Sequence, residues 1–447
     1  MLKRIPRGHR PGFTVKARSI RNCAFASLAA AFFLWSCPAG PEVPDNYLWR
    51  FDMGGTGVSS PVADADGHAL VLTYDGRLFA VAPEDGRISW QMNFDDVFVT
   101  SPVVDTDAAI YIKSGSGGVY KIVEEAEGPR LVWTFKEAAY TRTTTEPLAV
   151  GRNTVLASHG LYKEALIINK SDGSLRSVVS IRPAALAADY SSALTSLVAV
   201  DSPDFAYVGS RDSMVFYFIR EDGTNTRTLD TLALAQANPD PAQSLYYSGN
   251  LIVRGARAYS LCTRSYMDPD TFLYVSEQIL KELRPEGDGA EILLATPPEA
   301  AAEGWGLFDP RKSGADGLSG FVWHYVARWS MIDGSLLSLD DPLARAGWAD
   351  YTTLAQYRDS AGRIFVWCER FKKNSYAIFN RFLFVQEPGA SDAGTAPAVS
   401  VPEKGIMNEP LLMKDRLVIA TTKGMLQGYE LATGDILSSK SAFGGAR

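Results

Sequence analysis

The sequence predicts an all-β protein, an eight-bladed β-propeller of four-stranded antiparallel blades, and three observations lead there. Strand-favouring residues dominate the 447-residue chain, which is 46% hydrophobic and holds 19 Tyr, 21 Phe and 9 Trp, ample for a packed core. No segment keeps a 3.6-residue apolar period for more than about two turns. Above all, the stretch SSPVADADGHALVLTYDGRLFAVAPEDGRISW, from Ser59 to Trp90, recurs along the chain in imperfect copies.

Each element of that stretch has a local reason. An alternating segment after Ser60-Pro61 ends at Asp66-Gly67, and a second, from His68 to Thr73, ends at Asp75-Gly76. A third, from Arg77 to Val81, ends at Asp85-Gly86, and a fourth, from Ile88 to Phe94, carries Trp90. Each Asp-Gly supplies the positive-φ residue that a tight hairpin needs. A meander of such short strands cannot bury both faces alone, so it must stack on neighbours like itself.

Register counts the copies. With Pro61 as origin, equivalent positions fall at Pro102, Pro147, Leu197, Leu245, Leu307, Leu354 and Pro410, at intervals of 41 to 62 residues. A turn glycine follows about 25 residues later at Gly86, Gly128, Gly173, Gly223, Gly334 and Gly434. The copies at Leu245 and Leu354 use Asp268-Pro269-Asp270 and Lys372-Lys373-Asn374-Ser375 there instead. Tyr47 to Asp52 has the fourth-strand pattern of Ser89 to Phe94 and Val132 to Phe135, so it is expected to complete the last blade and remove both sheet edges. Asp435 to Ser439 is the competing fourth strand. Thr231–Gln243, Arg284–Gly304 and Gln386–Gly405, rich in Ala, Pro, Gly and Asp, are expected to be exposed insertions, with Gly389–Val401 a low-complexity linker.

The N-terminus has a different character. Residues 1–22 hold seven basic residues and no acid, and a 13-residue apolar run from Cys23 to Trp35 follows. That is the layout of a secretory signal, too short to span a bilayer well. Leu34-Trp35-Ser36-Cys37 resembles the lipobox of bacterial lipoproteins, although Trp35 departs from the small or aliphatic residue usual there. The resemblance implies cleavage before Cys37 and a lipid on its sulfur, which gives residues 1–36 as signal, 37–46 as lipidated linker and 47–447 as the propeller. Without the seven leader charges the 44 basic residues fall to 37 against 51 acidic ones, a net of −14. Such a surface disfavours nucleic acid and anionic lipid as partners. Cys262 and Cys368 lie in non-adjacent copies and are expected to be buried free thiols.

The combination of Ser-Pro-Val, Asp-Gly hairpins, Leu-Phe-Ala-Val and Gly-x-x-x-Trp, clearest in Ser60–Trp90, Ser101–Trp133 and Glu409–Gly434, resembles the pyrroloquinoline-quinone-type (PQQ-like) propeller repeat. That resemblance implies that Trp49, Trp90 and Trp133 dock adjacent blades near the outer strands. Ser177, Thr228 and Ser438 stand near the equivalent position in other copies. It leaves function open, since quinoprotein dehydrogenases and non-catalytic scaffolds share the repeat.

Chemistry is sparse. Quinoprotein alcohol dehydrogenases are expected to show adjacent cysteines, and this chain has none. Asp64-Ala65-Asp66-Gly67 and Asp105-Thr106-Asp107 lack the remaining ligands of a calcium loop and are explained as turns. Gly115-Ser116-Gly117-Gly118 lacks the Lys-Ser/Thr of a phosphate loop and is expected to be a hairpin turn. His68, His159 and His324 are scattered over different copies, with no neighbouring Ser or Cys in nucleophile context. No catalytic residue, metal ligand or cofactor is therefore expected. The expectation is a monomeric, exported, lipid-anchored scaffold that binds a protein partner in the cell envelope, similar in plan to the scaffold lipoproteins of outer-membrane barrel assembly. A quinone-dependent periplasmic oxidoreductase and a small-ligand or glycan-binding propeller, the latter from aromatics in Ser244–Tyr259 and Trp323–Trp329, are the alternatives.

Overall fold

The strands follow the repeats in register. A computed structural model describes residues 48–430 apart from 56–58, 99, 138–147, 160–163, 182–193, 195, 212–214, 225–226, 231–242, 269, 271–273, 286–288, 296–316, 323–324, 341–350, 359–362, 372–377, 387–398, 402–410, 414–415 and 422–423. Cys37, the signal segment, His324, Gly434 and Asp435–Ser439 lie outside the described residues.

All described elements are β-strands. After β1 (Trp49–Asp52), the first sheet holds β2 (Val62–Ala63), β3 (Ala69–Leu72), β4 (Arg77–Val81) and β5 (Ile88–Asn93). The second holds β6 (Val103–Val104), β7 (Ile110–Lys113), β8 (Val119–Glu125) and β9 (Gly128–Phe135). The third holds β10 (Leu148–Val150), β11 (Thr154–His159), β12 (Glu164–Asn169) and β13 (Leu175–Ser180). The fourth holds β14 (Ser196–Ala199), β15 (Tyr207–Arg211), β16 (Val215–Ile219) and β17 (Arg227–Asp230). The fifth holds β18 (Gln243–Arg254), β19 (Arg257–Met267), β20 (Tyr274–Glu282) and β21 (Glu291–Leu293). The sixth holds β22 (Gly317–Val322), β23 (Tyr325–Ser330) and β24 (Leu336–Asp340), and the seventh β25 (Tyr351–Arg358), β26 (Ile364–Phe371), β27 (Ile378–Gln386) and β28 (Val399–Val401). The eighth is built from β29 (Leu411–Met413), β30 (Arg416–Ala420) and β31 (Met425–Glu430), with β1 antiparallel to β31 and Trp49 opposite Gly428.

The sheets stack because their inner strands are apolar on both faces. All four residues of β3 are buried. Ala69 and Val71 pack with Trp49, Phe79, Val418 and Leu426 towards the eighth sheet. Leu70 and Leu72 pack with Ile110, Ile112 and Phe98 towards the second. Equivalent cores join the second sheet to the third, the third to the fourth and the fourth to the fifth. Each fully buried aliphatic side chain contributes about 1.5–3 kcal/mol.

A repeated polar contact locks neighbouring sheets. The Trp49 indole N–H donates to the Pro83 carbonyl at 2.8 Å, and the Trp133 N–H to the Lys170 carbonyl at 2.9 Å. Both acceptors lie three residues before a turn glycine, Gly86 or Gly173, whose missing Cβ makes room for the ring. Ser177 lies against Gly223 in the same way, with a smaller side chain. Trp90 differs. The β8–β9 hairpin is so tight that only Ala126 and Glu127 separate its strands, and nothing lies near Gly128. The half-buried Trp90 instead donates to the Glu124 carboxylate.

Three expectations are corrected. In the fifth and seventh copies, the positions of Asp268–Asp270 and Lys372–Ser375 fall between the second and third strands, β19 and β20 in one and β26 and β27 in the other, with Pro269 and Lys372–Ser375 outside the described residues. The reason is strand length: β18 and β19 run 12 and 11 residues where β3 has 4, so a fixed offset reaches an earlier turn. The supposed insertions Arg284–Gly304 and Gln386–Gly405 contain β21 and β28, the fourth strands of their sheets, and β28 lies inside the supposed linker. These strands have three residues and no Trp, so nothing in composition marked them. In the sixth sheet β22 to β24 take the second to fourth positions by the Gly334 turn, and Leu307 lies outside the described residues.

Gly86→Ala would place a Cβ in the Trp49 ring at a φ of +73°. It is expected to cost about 2–4 kcal/mol, the sum of left-handed strain and overpacking. Gly67→Ala, at φ +89° with open space around it, should cost only about 1–2 kcal/mol, and Trp133→Ala about 3–5 kcal/mol. Equilibrium unfolding in urea, compared across the three variants, checks that order.

Candidate interaction surface

Three turns lie side by side on the third and fourth sheets. Gly151-Arg152-Asn153 joins β10 to β11, residues 200–206 join β14 to β15, and Arg220-Glu221-Asp222-Gly223 follows β16. Gly151 is required because a Cβ there would meet the Tyr207 hydroxyl. That hydroxyl, on a fully buried ring, donates to the Thr154 carbonyl at 2.7 Å. Glu221 reaches from the fourth sheet to the third, accepting the Asn153 backbone N–H at 2.6 Å and its side-chain amide at 3.0 Å. Burial alone would push the Glu221 carboxyl up, but these bonds and one from Thr154 hold it below the usual range.

With Asp105 and Thr106 of the second sheet, these turns line a groove of about 940 Å³. Its walls set Arg152, Arg176 and Arg220 among Asp105, Asp201, Asp204, Glu221 and Asp222. Arg220 Nε donates to the Asp204 carbonyl at 3.0 Å, so this part of the wall is fixed. Arg152 pairs with Asp201 at 2.6 Å, with side chains 75% and 77% exposed. A pair so exposed adds little to stability, and its charges stand open to solvent. A polar groove with both signs of charge suits the charged surface of another macromolecule better than an apolar small ligand. The sequence signal for it is the replacement of Asp-x-Asp-Gly by Asp201-Ser202-Pro203-Asp204 in the fourth copy.

The two acidic turns behave differently. Both are hairpin turns: the Asp64 carboxylate accepts the His68 N–H at 2.7 Å, and that of Asp105 the Thr106 N–H at 2.8 Å. Asp105 is met across the sheet junction by the Lys170 ammonium. Asp64 is met by the His68 ring at 2.9 Å and, from the second sheet, by Glu124, whose carboxylate lies 3.8 Å from that ring. Burial first, and then repulsion from Asp64 and Asp66 against the help of Trp90 and His68, pushes the Glu124 carboxyl up. Asp64, His68 and Glu124 are the one group among the described residues whose donor atoms converge as metal ligands do. Sequence reasoning separated them because Glu124 belongs to the next repeat.

Gly115–Gly118 forms the β7–β8 turn, with Ser114 N–H donating to the Gly118 carbonyl at 2.8 Å. Asp96 anchors it, accepting from the Ser116 and Tyr120 hydroxyls, each at 2.7 Å, and from Lys136 at 3.2 Å. A carboxylate bound to Ser116 opposes a phosphate there. His159 is buried at the end of β11. Cys262 is a buried free thiol on β19 whose ionisation burial pushes up, while Cys368 lies on β26 of another sheet. Trp329, in one of the aromatic stretches, is fully buried and donates to the Ala295 carbonyl at 2.8 Å.

A family model described as outer membrane protein assembly factor BamB matches residues 44–256. No curated protein sequence matches the chain. Among solved structures, BamB from Moraxella catarrhalis aligns at 10% identity and a TM-score of 0.48, covering 86% of this chain and 99% of that one. Saccharomyces cerevisiae Sqt1 aligns at 10% identity and a TM-score of 0.47, covering 87% and 99%, and the computationally designed Ika8 at 8% and 0.47, covering 85% and 97%. The PQQ-like repeats and the resemblance to BamB are thus supported over the first half of the chain.

Burial would raise the Asp96 carboxyl, but its bonds to Ser116 and Tyr120 hold it below the usual value. A carboxylate depressed in the folded state stabilises at neutral pH, and that contribution fades as pH falls below about 4. Asp96→Asn is therefore expected to lower the melting temperature at pH 7 and to converge with the parent chain at acid pH. Thermal melts between pH 7 and pH 2.5 check this.

Proposed function

We propose, on the premise that this chain carries PQQ-like repeats resembling BamB over residues 44–256, that it is a non-catalytic β-propeller scaffold for outer-membrane protein assembly. In this reading the eight sheets are blades of one closed ring, with β1 joining the last blade. The chain is exported, held at a membrane by a lipid on Cys37 after loss of residues 1–36, and faces the periplasm as a monomer. It uses no cofactor, and its partners are envelope proteins. The observation that carries the reading is the family match to residues 44–256, a span that contains every lining residue of the groove, from Asp105 to Asp222.

The groove across the second, third and fourth sheets is the surface proposed to receive the partner. Its open Arg152–Asp201 pair gives charges that a partner can engage without disturbing the core. The Arg284–Gly304 segment serves this role poorly, since Glu291 within it is bound by Lys281 at 2.8 Å and by Arg264, which ties β21 into its sheet.

Mild crosslinking in native membranes, affinity capture and mass analysis test the reading. The expected result is recovery of an outer-membrane assembly component together with an acylated N-terminal Cys37 peptide. Arg152→Glu is expected to reduce capture at least about threefold, as loss of about 0.7 kcal/mol or more at a rim charge would. Its melting temperature should stay unchanged. Capture that is indifferent to this reversal removes the groove, and a partner-free chain with bound quinone removes the scaffold reading.

A further inference from the structure

Asp64 and His68 of the first sheet and Glu124 of the second converge at the junction between the two sheets. Their donor atoms all lie within 4.8 Å of one another, and the His68 Nδ1 stands 2.9 Å from Asp64 Oδ2 and 3.8 Å from Glu124 Oε1. Tetrahedral zinc with bonds near 2.0–2.1 Å sets its ligand atoms about 3.3 Å apart. The observed spacings straddle that value, so small side-chain shifts complete the geometry.

Three features separate this cluster from an ordinary turn. First, the charge balance is unlike that of the matching junction. Asp105, in the same repeat position as Asp64, is met from the next sheet by the cation Lys170. Asp64 is met from the next sheet by a second anion. Second, the acids are withdrawn from water, with side-chain exposures of 1% for Asp64 and 18% for Glu124. Two carboxylates in such a place need a positive partner. Third, the ligands are held in place. The His68 backbone N–H donates to Asp64 Oδ1 at 2.7 Å, and the Trp90 indole donates to Glu124. Second-shell hydrogen bonds of this kind orient metal ligands.

We propose that this site binds one zinc-class divalent cation, with Asp64, His68 and Glu124 as its protein ligands. An imidazole with only two carboxylates suits zinc better than calcium, which takes six to eight oxygens. His68, with a side-chain exposure of 24%, leaves a path for a fourth ligand, water, from solvent. The ion joins β2–β3 to β8, where the Trp90 indole lacks the turn carbonyl that Trp49 and Trp133 reach. The site is independent of the scaffold reading.

The test uses the untagged full chain in detergent, stripped with chelator and titrated with ZnCl2 by calorimetry, with melts and cobalt(II) absorption alongside. Expected are one saturable equivalent, a raised melting temperature, and a visible cobalt band of a low-coordinate site. Glu124→Gln, which keeps an acceptor for Trp90, and His68→Gln should each weaken zinc binding at least about tenfold and remove the band. Asp107→Asn, at the other acidic turn, should leave zinc binding unchanged. Two variants are used so that failure of one to fold leaves the other decisive. Absence of saturable binding overturns the proposal, as does binding that survives both substitutions; either result leaves His68 as a hydrogen-bond partner of Asp64.

Discussion

The structure depends on one constraint: the inner strands of its described sheets are buried on both faces. In a β-strand alternate residues face opposite ways, so a strand whose every residue is buried requires a neighbour on each side. β3, β7, β11 and β16 are all of this kind. A single sheet cannot bury two apolar faces by itself, and stacking is the condition of its existence. The turns and outer strands then need only hold each neighbour at the right distance. The Trp49 and Trp133 indoles do this over Gly86 and Gly173, each with its N–H on a turn carbonyl.

That arrangement explains where variation is tolerated. A contact made of one ring, one glycine and one carbonyl fails when the turn changes. The short β8–β9 hairpin withdraws its carbonyl from Trp90, and the indole turns to Glu124. A half-buried carboxylate is thereby brought beside Asp64 and His68, so a departure from the repeat and a candidate site have a common origin. The groove arises in the same way. Lengthening of the first turn in the fourth copy brings Asp201 to Arg152 and Asp204 to Arg220. Function on such a scaffold collects where copies differ, because the shared positions are committed to packing.

The inner strands and most turns could be read from residue order alone, since Asp-Gly turns and period-two alternation are local signals. Positive φ at Gly67, Gly76 and Gly86 and the sheet β2–β5 follow from them directly. β21 and β28 could not be read. They are three residues long and are strands only because β20 and β27 offer them an edge. The buried free thiol at Cys262 was expected because Cys262 and Cys368 fall in non-adjacent copies, whereas the groove left only the altered turn Asp201-Ser202-Pro203-Asp204 as a trace in the sequence.

What residue order settled, then, is the all-β class and the repeated four-strand unit, because hairpin chemistry and alternation act within a few residues. What only the tertiary structure decided is which residues of different repeats meet: Trp90 with Glu124, Glu221 with Asn153, and Lys170 with Asp105. These pairs lie 34 to 68 residues apart. Their meeting depends on stacking distance and turn length, which no local pattern encodes.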